Sequence, residues 1–475
     1  MSRETRAAIA IISLFFAARS VFALTLGLGV DEAYTLVISR QLQLSYFDHP
    51  PLHQWLAHFS AAALGESPAA RLPFVALFAG SGWWMYILTR RLFGAEAGLA
   101  ALVALNATPF FFASAGAWIV PDGPLVFALL GAASALAALD ERPSLARWLA
   151  LGAWFGLAGL SKYSAALTAC GAAAFILVRP DLRRQLATPA PYLAKILALA
   201  LVAPVFVWNS ENHWASFAFQ GARGAPGGSL RLDHLAQMIG GEAAYLSPWI
   251  GFALVAAALA LWRNAREARV TLCLWLALPT ILVFTLTPLW GARGLPHWPM
   301  PGWLFLYPLL GAWAANREWR PWSAYASVVT LALALIFVSQ ARLGWATPWL
   351  GKADVTREAL DWGALRDAFP ANAPPAFAVS VKWSDAGKIG VALGRGVPVL
   401  VFSDDPRGFA FQGARPDLAG KDGALVVRAD QEAAARAALG GKFASLGAAR
   451  PISVRRAGVE EIPLVVIPVQ GLAAL

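Results

Sequence analysis

Charged side chains are scarce in this chain of 475 residues: they make up 14% of it, whereas a soluble domain carries about 25%. Hydrophobic residues account for 58%. Because a water-exposed surface is difficult to build from this composition, an ordinary soluble enzyme is excluded. The net charge of +10 would suggest nucleic acid as a partner of a soluble protein, but in a membrane protein the positions of the charges matter more, and no nucleic-acid partner is predicted.

The sequence also lacks the residues of several common sites. Its two cysteines, Cys170 and Cys273, lie inside apolar runs, which excludes a disulfide framework and a CxxC metal site. A glycine-rich stretch at 221–229 follows no predicted strand and contains no GxGxxG or GKS/GKT pattern, so it does not predict a nucleotide site. No internal repeat and no low-complexity linker is recognisable in the sequence.

Eleven apolar runs predict transmembrane helices, since a helix needs about 20 apolar residues to cross the hydrocarbon core. The first run follows Arg3 and Arg6 and has the outline of a signal peptide, but the many further runs favour an uncleaved helix. The predicted spans lie near 7–29, 71–89, 97–114, 123–139, 147–161, 163–178, 191–208, 243–262, 270–288, 299–315 and 321–340.

The distribution of Lys and Arg predicts the orientation of these spans. With a cytoplasmic amino terminus, the cytoplasmic connectors hold most of the Lys and Arg, as the positive-inside rule requires, although the opposite connectors are longer. The odd number of spans then places the carboxyl terminus outside. In the tail, strand-like segments near 376–383, 397–402, 424–428 and 462–469 are separated by helix-like stretches such as 356–369 and 430–439.

The predicted fold class is therefore an all-α polytopic membrane bundle at 1–340, followed by a small α/β domain at 341–475. The unusual polar residues gather in four outer segments, 30–70, 114–123, 209–242 and 290–298, with Lys162 at the outer end of the fifth span. A transporter or flippase of a lipid-linked substrate, the alternative function, places its ionisable groups nearer the bilayer midplane. Polar residues at one interface instead favour an enzyme whose substrate has a lipid tail and a polar head group.

An acidic pair, Asp31-Glu32, opens the first outer loop. Carboxylates are costly inside lipid but suited to a wet cleft, where one of them can accept the proton of an attacking hydroxyl as a general base. A hydrated helix end explains the same residues equally well. The sequence alone leaves both interpretations open.

The outer segments contain a series of motifs that resemble one enzyme family. The motifs are Asp31-Glu32 followed by Tyr46-Phe47-Asp48-His49-Pro50-Pro51, then Pro121-Asp122-Gly123-Pro124-Leu125, Gly159-Leu160-Ser161-Lys162-Tyr163, Trp208-Asn209 with His213-Trp214, and Pro296-His297-Trp298-Pro299. In this order they resemble the GT-C membrane glycosyltransferases of family 39, which include protein O-mannosyltransferases and lipid A aminoarabinose transferases. The resemblance covers about the first 315 residues.

This resemblance implies a GT-C bundle in a bacterial inner membrane, with the active site in the periplasm, on the side where the span count places the carboxyl-terminal domain. It also implies an inverting transfer of a sugar from a polyprenyl-phosphate donor. The partners are then that donor, membrane lipids, and an acceptor that is a lipid, a glycan or a protein; the sugar and the acceptor stay open. By the same analogy Asp31 is the catalytic base, and Asp122 orients a substrate or helps to ligate a divalent cation. Two aspartates without supporting ligands are a poor metal predictor, so no metal is assigned and a divalent cation is left open.

Several basic residues are candidates for binding the donor phosphate, whose negative charge grows as it leaves. A lone Lys162 between apolar runs is expensive unless it is paired or functional, with snorkelling to the interface as the alternative. Arg293 and His297, in a short loop rich in Gly, Pro and Trp, either bind the same phosphate or anchor the interface.

Further candidate substrate-binding residues come from the same loops. His49 either contacts phosphate or sugar or caps its turn, and the tyrosines either bind sugar or belong to the aromatic belt. His213 and Arg223 lie in the long outer loop that contains the glycine-rich stretch, which either gates acceptor entry or is a plain connector. The full predicted substrate-binding set is Glu32, Tyr34, Tyr46, Asp48, His49, Lys162, Tyr163, His213, Arg223, Arg293 and His297. Arg19, near the middle of the first span, is expected to face the bundle interior and to have a structural partner.

Overall fold

The structure, a computed structural model, describes residues 1–225, 227–292, 294–370 and 373–473. It divides into two compact units. The first comprises Met1–Val21, Leu44–His53 and Leu72–Leu333, and the second comprises Phe22–Gln43, Gln54–Arg71 and Ala334–Leu475. A predominantly helical chain with apolar spans and one small carboxyl-terminal sheet confirms the predicted fold class.

The helices are most numerous before residue 344. In chain order the α-helices are α1 Arg3–Thr25, α2 Val30–Ile38, α3 Leu52–Leu64, α4 Leu72–Phe93, α5 Ala95–Asn106, α6 Ala115–Ala117, α7 Asp122–Glu141, α8 Leu145–Ser161, α9 Ala165–Val178, α10 Pro180–Gln185, α11 Pro189–Glu211, α12 Ala215–Gly224, α13 Leu232–Leu246, α14 Pro248–Trp262, α15 Ala268–Leu286, α16 Met300–Trp303, α17 Tyr307–Ala315, α18 Trp319–Leu343, α19 Thr347–Leu350, α20 Trp383–Leu393 and α21 Glu432–Leu439.

Six helices of the described chain are long and apolar enough to cross a membrane, by length and composition, and up to eight spans result if each of two bent helix pairs counts as one. The six are α1, Pro68–Phe93, α7, Ala190–Glu211, Ala268–Trp290 and α18. The bent pairs are Ala95–Asn106 with Phe110–Ala117 and Leu232–Leu246 with Pro248–Trp262. Two shorter apolar helices, α8 and α9, occupy the fifth and sixth predicted spans.

Prolines explain where the structure departs from the eleven predicted straight helices. The predicted span 97–114 bends by 84° beside Pro109, and the chain bends by 100° at Pro248, inside the predicted span 243–262. The predicted span 299–315 is divided into α16, a 3₁₀ turn at Leu304–Leu306 and α17, with Pro308 in the first turn of α17. A proline removes one backbone hydrogen bond and its ring clashes with the preceding turn, so an apolar run alone does not guarantee one straight helix.

Small residues allow the helices of the first unit to pack closely. A Cβ atom on Gly152 would lie 2.2 Å from the Ala194 carbonyl oxygen of α11, and one on Gly171 would lie 2.0 Å from the Trp275 carbonyl oxygen of α15. Between α5 and α17, a Cβ on Gly311 would lie 2.3 Å from the oxygen of Ala97. Such close backbone approaches are typical of helix packing in membranes, where apolar burial alone does not bring helices together.

Arg19 lies inside the first unit, as predicted for a charged residue in the middle of a span. Its guanidinium donates to the carbonyl oxygens of Phe111 and Phe112 and lies 4.4 Å from the centre of the Phe78 ring. Those carbonyls belong to a π-helical turn at Phe110–Ser114, where the regular helical hydrogen bonds are displaced. The structural partner of Arg19 is thus the break between α5 and α6.

The second unit contains a six-stranded sheet. Its strands are β1 Ala378–Ser380, β2 Val399–Val401, β3 Gly423–Arg428, β4 Phe443–Leu446, β5 Arg450–Arg456 and β6 Val459–Leu472. The order is β2-β1-β3-β6-β4, with β5 also paired to β6. The β1 pairings with β2 and β3 are parallel, and the remaining pairings are antiparallel.

Helices cover the two faces of this sheet. One core combines residues of α20 with alternate strand residues such as Ala378 and Val426, and the other combines α21 with Val379 and Leu425. Helix α20 connects β1 to its parallel neighbour β2, as the crossover in a βαβ unit does. The same helix packs against α2, which belongs to the same unit.

Candidate active site

A buried ion pair joins two residues that were predicted from separate motifs. Lys162 Nζ donates to Asp122 Oδ1 at 2.8 Å, and the two residues are only 7% and 5% exposed. Asp122 is the first residue of α7, where the helix dipole favours a negative charge, and Lys162 directly follows α8, where it favours a positive one. The helix ends therefore hold each charge at its preferred position, and each charge compensates the other.

Three histidines lie within electrostatic reach of this pair. His53 interacts with Asp122 and Lys162, and His297 interacts with the same two residues. His49 interacts with Lys162 as well as with the other two histidines. His49 and His53 are close because the chain turns through two prolines into α3, which leaves their ring centroids 5.7 Å apart. The first unit thus contains a cluster of one carboxylate, one ammonium and three imidazoles.

Burial keeps these imidazoles uncharged. It lowers the pKa of His53 to about 3 and that of His297 to about 4, and it lowers the pKa of His49 well below the usual value, with neighbouring cations adding to the shift. Within the part of the chain that the structure describes, Nδ1 of His49 is shielded from solvent and makes no hydrogen bond. A neutral histidine with an unused nitrogen is suited to hydrogen-bond a polar substrate.

Arg223 adds a second permanent cation to the cluster. It lies at the end of α12 and interacts electrostatically with His49 and His297. Its guanidinium carbon lies 5.5 Å from the ring centre of Phe219 and 5.0 Å from that of Trp298. Aromatic faces hold a guanidinium through cation–π attraction, so Arg223 is held from two sides beside the histidines.

The polar loops around this cluster are tied to one another. Gln220 donates to the backbone oxygen of Asp48, and the Tyr163 hydroxyl lies 2.6 Å from Ser216 Oγ. Burial raises the pKa of Tyr163, so its hydroxyl stays protonated. Tyr46 is almost fully buried. In contrast, His213 is exposed, in a left-handed turn between α11 and α12. The structure thus brings His49, Lys162, Arg223 and His297 together and leaves His213 outside the group.

The acidic pair of the first outer loop belongs to the second unit, where its two members differ. Asp31 is exposed in the first turn of α2, whereas Glu32 is 3% exposed. Arg71 binds the Glu32 carboxylate with two hydrogen bonds of 2.7 and 2.5 Å, and the Gly29 amide donates to the same group at 2.8 Å. Glu32 therefore fixes the start of α2, and Asp31 is the carboxylate oriented outward.

Tyr34 is also engaged within the second unit. Its ring packs against Trp383 and Phe409, and its hydroxyl accepts a hydrogen bond of 2.8 Å from the Gly408 amide. At 6% exposure it is part of the packing between α2 and the carboxyl-terminal sheet domain, which is a structural position rather than a sugar-binding one.

Two functional candidates were absent from the predicted set. His53 was detectable, because it lies close to the His49 motif, at the start of the short helix that follows the two prolines. Arg71 gave no comparable signal, because its partners lie at least 39 residues away in sequence.

Arg293, a predicted phosphate ligand, lies outside the described residues. Among residues 1–225, 227–292, 294–370 and 373–473, no group of three or more His, Cys, Asp or Glu is arranged to hold a metal ion.

The chain is similar to known membrane glycosyltransferases. Residues 48–208 match the family described as dolichyl-phosphate-mannose-protein mannosyltransferase. The lipid A galacturonosyltransferase RgtD of Rhizobium johnstonii is 24% identical over 360 residues, which cover 70% of this chain and 72% of the relative. This family match and this relative are in line with the resemblance predicted from the motifs.

Solved structures confirm the fold. The crystal structure of ArnT from Cupriavidus metallidurans bound to undecaprenyl phosphate gives a TM-score of 0.66 at 17% identity, and the apo structure of ArnT gives 0.67 at 18%. Each comparison covers 98% of both chains. The predicted GT-C fold, including a small carboxyl-terminal sheet domain, is therefore confirmed.

Proposed function

We propose that this chain is a membrane glycosyltransferase of the protein O-mannosyltransferase and ArnT type, and that it transfers a sugar from a polyprenyl-phosphate donor to a hydroxyl group of a cell-envelope acceptor. The donor class is supported by the undecaprenyl phosphate bound to ArnT. The acceptor is proposed to be the saccharide part of lipid A, in line with the lipid A galacturonosyltransferase that this chain resembles.

The observation that carries the proposal is the cluster around Lys162. Lys162 has three N–H donors. One of them donates to Asp122, which leaves the others for a phosphate oxygen. Arg223 supplies a guanidinium held by Phe219 and Trp298. Fixed cations in a largely dry site stabilise the charge that develops on a leaving phosphate. In this proposal Asp122 is a positioning residue for the ammonium group.

The neutral histidines have a different proposed role. His49, His53 and His297 hydrogen-bond the hydroxyl groups of the sugar or the phosphate oxygens, since an uncharged imidazole offers one donor and one acceptor nitrogen. Tyr46, Asp48 and Tyr163 hold the loops on which this cluster is built. His213 is not included, because it lies exposed in the turn after α11.

Asp31 is the proposed general base. It accepts the proton of the acceptor hydroxyl while the hydroxyl oxygen attacks the anomeric carbon of the donor sugar. The bond between that carbon and the phosphate oxygen breaks with its electron pair going to the phosphate, which leaves as the polyprenyl phosphate. One displacement inverts the anomeric configuration. A carboxylate in the first turn of a short helix suits this role, because the helix fixes its direction and the side chain is exposed to an incoming hydroxyl.

We further propose that the transfer takes place on the periplasmic face of the inner membrane, that residues 1–340 form the catalytic membrane module, and that residues 341–475 form a periplasmic domain. The asymmetry of Lys and Arg between the connectors supports this orientation.

Transfer by the purified protein tests the proposal. The protein in lipid nanodiscs is incubated with lipid A and with radiolabelled undecaprenyl-phosphate donors carrying a neutral hexose, an aminopentose or a uronic acid. We expect label in the lipid A fraction with one donor, loss of transfer in Asp31→Asn with donor binding retained, and a raised donor KM in Lys162→Met.

Two matched controls accompany these variants. Asp404→Asn and Lys195→Met make the same chemical changes at exposed positions and should leave transfer unchanged. Folded Asp31→Asn that transfers at the wild-type rate would remove Asp31 from the mechanism. Donor binding that is the same in wild type and Lys162→Met would remove the phosphate role of the cluster.

A further inference from the structure

A buried lysine of the second unit has no role in the chemistry described so far. Lys388, in the middle of α20, is 6% exposed. Its ammonium group donates to the backbone oxygen of Leu28 and, at 3.0 Å, to that of Leu360. A buried ammonium is costly, and one that is satisfied by backbone carbonyls acts as a fixed connection between the segments that carry them.

Leu28 lies three residues before Asp31, in the short segment between α1 and α2. The last carbonyl groups of a helix have no partner within it, and this segment is further shielded from water. Arg71 donates to the oxygens of Ala23, Leu26 and Gly27 and also binds Glu32. Two buried cations, Arg71 and Lys388, therefore hold the chain immediately before the proposed base.

Backbone contacts show how closely α20 and its neighbours approach this segment. A Cβ atom on Gly27 would lie 2.1 Å from the Ala359 oxygen, and one on Gly387 would lie 2.5 Å from the amide nitrogen of Tyr34 in α2. Neither approach leaves space for a side chain. Helix α20 thus packs directly on the backbone of α2, and a change in its position would move Asp31.

We propose that the carboxyl-terminal domain serves as the positioning element of the catalytic base, and that Lys388 is its positioning residue, acting on Asp31 through the Leu28 carbonyl. This inference rests on the proposed function, in which Asp31 is the general base. It assigns the domain a part in catalysis that needs no contact of its own with donor or acceptor. Lys388 is expected to affect kcat and to leave donor affinity unchanged, because it touches neither substrate.

The charge state of Lys388 provides a readout that a purely structural residue lacks. Burial lowers the pKa of Lys388 to about 8. Glu32 of α2 and the residues Glu358 and Asp361 favour the charged form, whereas Arg71 disfavours it. As the pH rises through this value the ammonium loses its proton and its charge-assisted hydrogen bonds weaken, so the constraint on Asp31 is present below pH 8 and lost above it.

The test compares Lys388→Met with Lys382→Met in the full-length protein in nanodiscs. Lys382 is the exposed residue just before α20, so the control makes the same chemical change directly beside the same helix. We expect Lys388→Met to lower kcat about 10²-fold, the loss that a base displaced by about 1 Å produces, with the donor KM within about twofold of wild type. We also expect the fall in wild-type kcat above pH 8 to be absent from Lys388→Met.

A double variant shows whether Lys388 acts through Asp31. Once Asp31→Asn has removed the base, its position no longer matters, so Asp31→Asn/Lys388→Met should be no slower than Asp31→Asn alone. The proposal would be overturned if the double variant were slower than Asp31→Asn by the same factor by which Lys388→Met is slower than wild type. An unchanged kcat of Lys388→Met, or an effect of this substitution on KM alone, would also overturn it.

The remaining outcomes separate the two proposals. Asp31→Asn with wild-type transfer would reject the proposed base itself, before Lys388 is considered. If Lys388→Met fails to fold, the pH profile of the unmodified enzyme decides: a kcat that stays constant from pH 7 to pH 9 would exclude the proposed role of the ammonium group.

Discussion

The buried pair Glu32–Arg71 offers a stability prediction with a matched control in the same chain. The two side chains are 4% and 1% exposed, and Arg71 binds the carboxylate through two parallel hydrogen bonds. Arg91 and Glu141 form a pair of the same geometry, with hydrogen bonds of 2.7 and 2.6 Å, but their side chains are 32% and 52% exposed. The ion pair itself is the same in both cases; the two pairs differ in burial and in the backbone hydrogen bonds that Arg71 and Glu32 also make.

Glu32→Gln and Glu141→Gln each remove one negative charge and preserve the shape of the side chain. In the buried pair the change leaves the Arg71 guanidinium without its counter-charge, which costs about 3–5 kcal/mol. The exposed pair contributes about 0.2–1 kcal/mol, because water replaces the lost partner. The two variants should therefore differ in unfolding free energy by at least about 2 kcal/mol, or about 30-fold in the equilibrium constant.

Thermal unfolding in detergent, followed by tryptophan fluorescence, measures this difference. We expect Glu32→Gln to unfold several degrees below wild type and Glu141→Gln to unfold within about a degree of it. Arg71→Met should be at least as destabilising as Glu32→Gln, since it also leaves three backbone carbonyls without a donor. Equal, small shifts for Glu32→Gln and Glu141→Gln would refute the assignment of Glu32–Arg71 as the buried anchor of α2.

Three further predictions concern the cluster of the first unit. Arg223→Ala should raise the donor Kd about tenfold, and Arg223→Lys should restore part of the loss, measured by donor binding in nanodiscs. Asp122→Asn should weaken donor binding and lower stability, because Lys162 loses its partner, whereas Asp122→Asn/Lys162→Met should restore stability without restoring binding. Stability should fall as the pH drops from 6.5 towards about 4, because His297 binds a proton at a higher pH in the unfolded chain than in the folded protein. The loss of unfolding free energy between pH 7 and pH 5 should therefore be smaller for His297→Gln than for wild type.

The sequence was most informative where apolar runs are long and uninterrupted. It predicted helices wherever α1, α4, α7, α11, α15 and α18 occur, and it located the four strands β1, β2, β3 and β6. It did not predict where a run bends, because the consequence of a proline such as Pro109 or Pro248 depends on the helices packed around it. The helix expected at 356–369 is instead a pair of 3₁₀ turns, Val355–Ala359 and Gly363–Ala368.

For the candidate site, the sequence identified residues whose polarity conflicts with their surroundings. Lys162 between two apolar runs was such a case, and its partner Asp122 came from a different motif. The pairing itself could not be predicted from the sequence, because 40 residues and two helices separate the two positions. Lys388 was missed for a related reason: it lies in a mixed-polarity segment where a lysine is ordinary, and its partner carbonyl is 360 residues away.

The pair Asp31-Glu32 shows how the fold gives two adjacent carboxylates different tasks. The backbone oxygens of Ala23, Leu26, Gly27 and Leu28, at the end of α1 and just before α2, accept hydrogen bonds from two buried cations. One of those cations, Arg71, needs a compensating charge, and Glu32 supplies it. A glutamate so engaged has little capacity left to accept a proton from an acceptor, whereas Asp31, one residue earlier on the helix, is exposed. Glu32 thus holds the helix turn that carries Asp31, the proposed base. Exchange of the two residues should both destabilise the protein and abolish transfer.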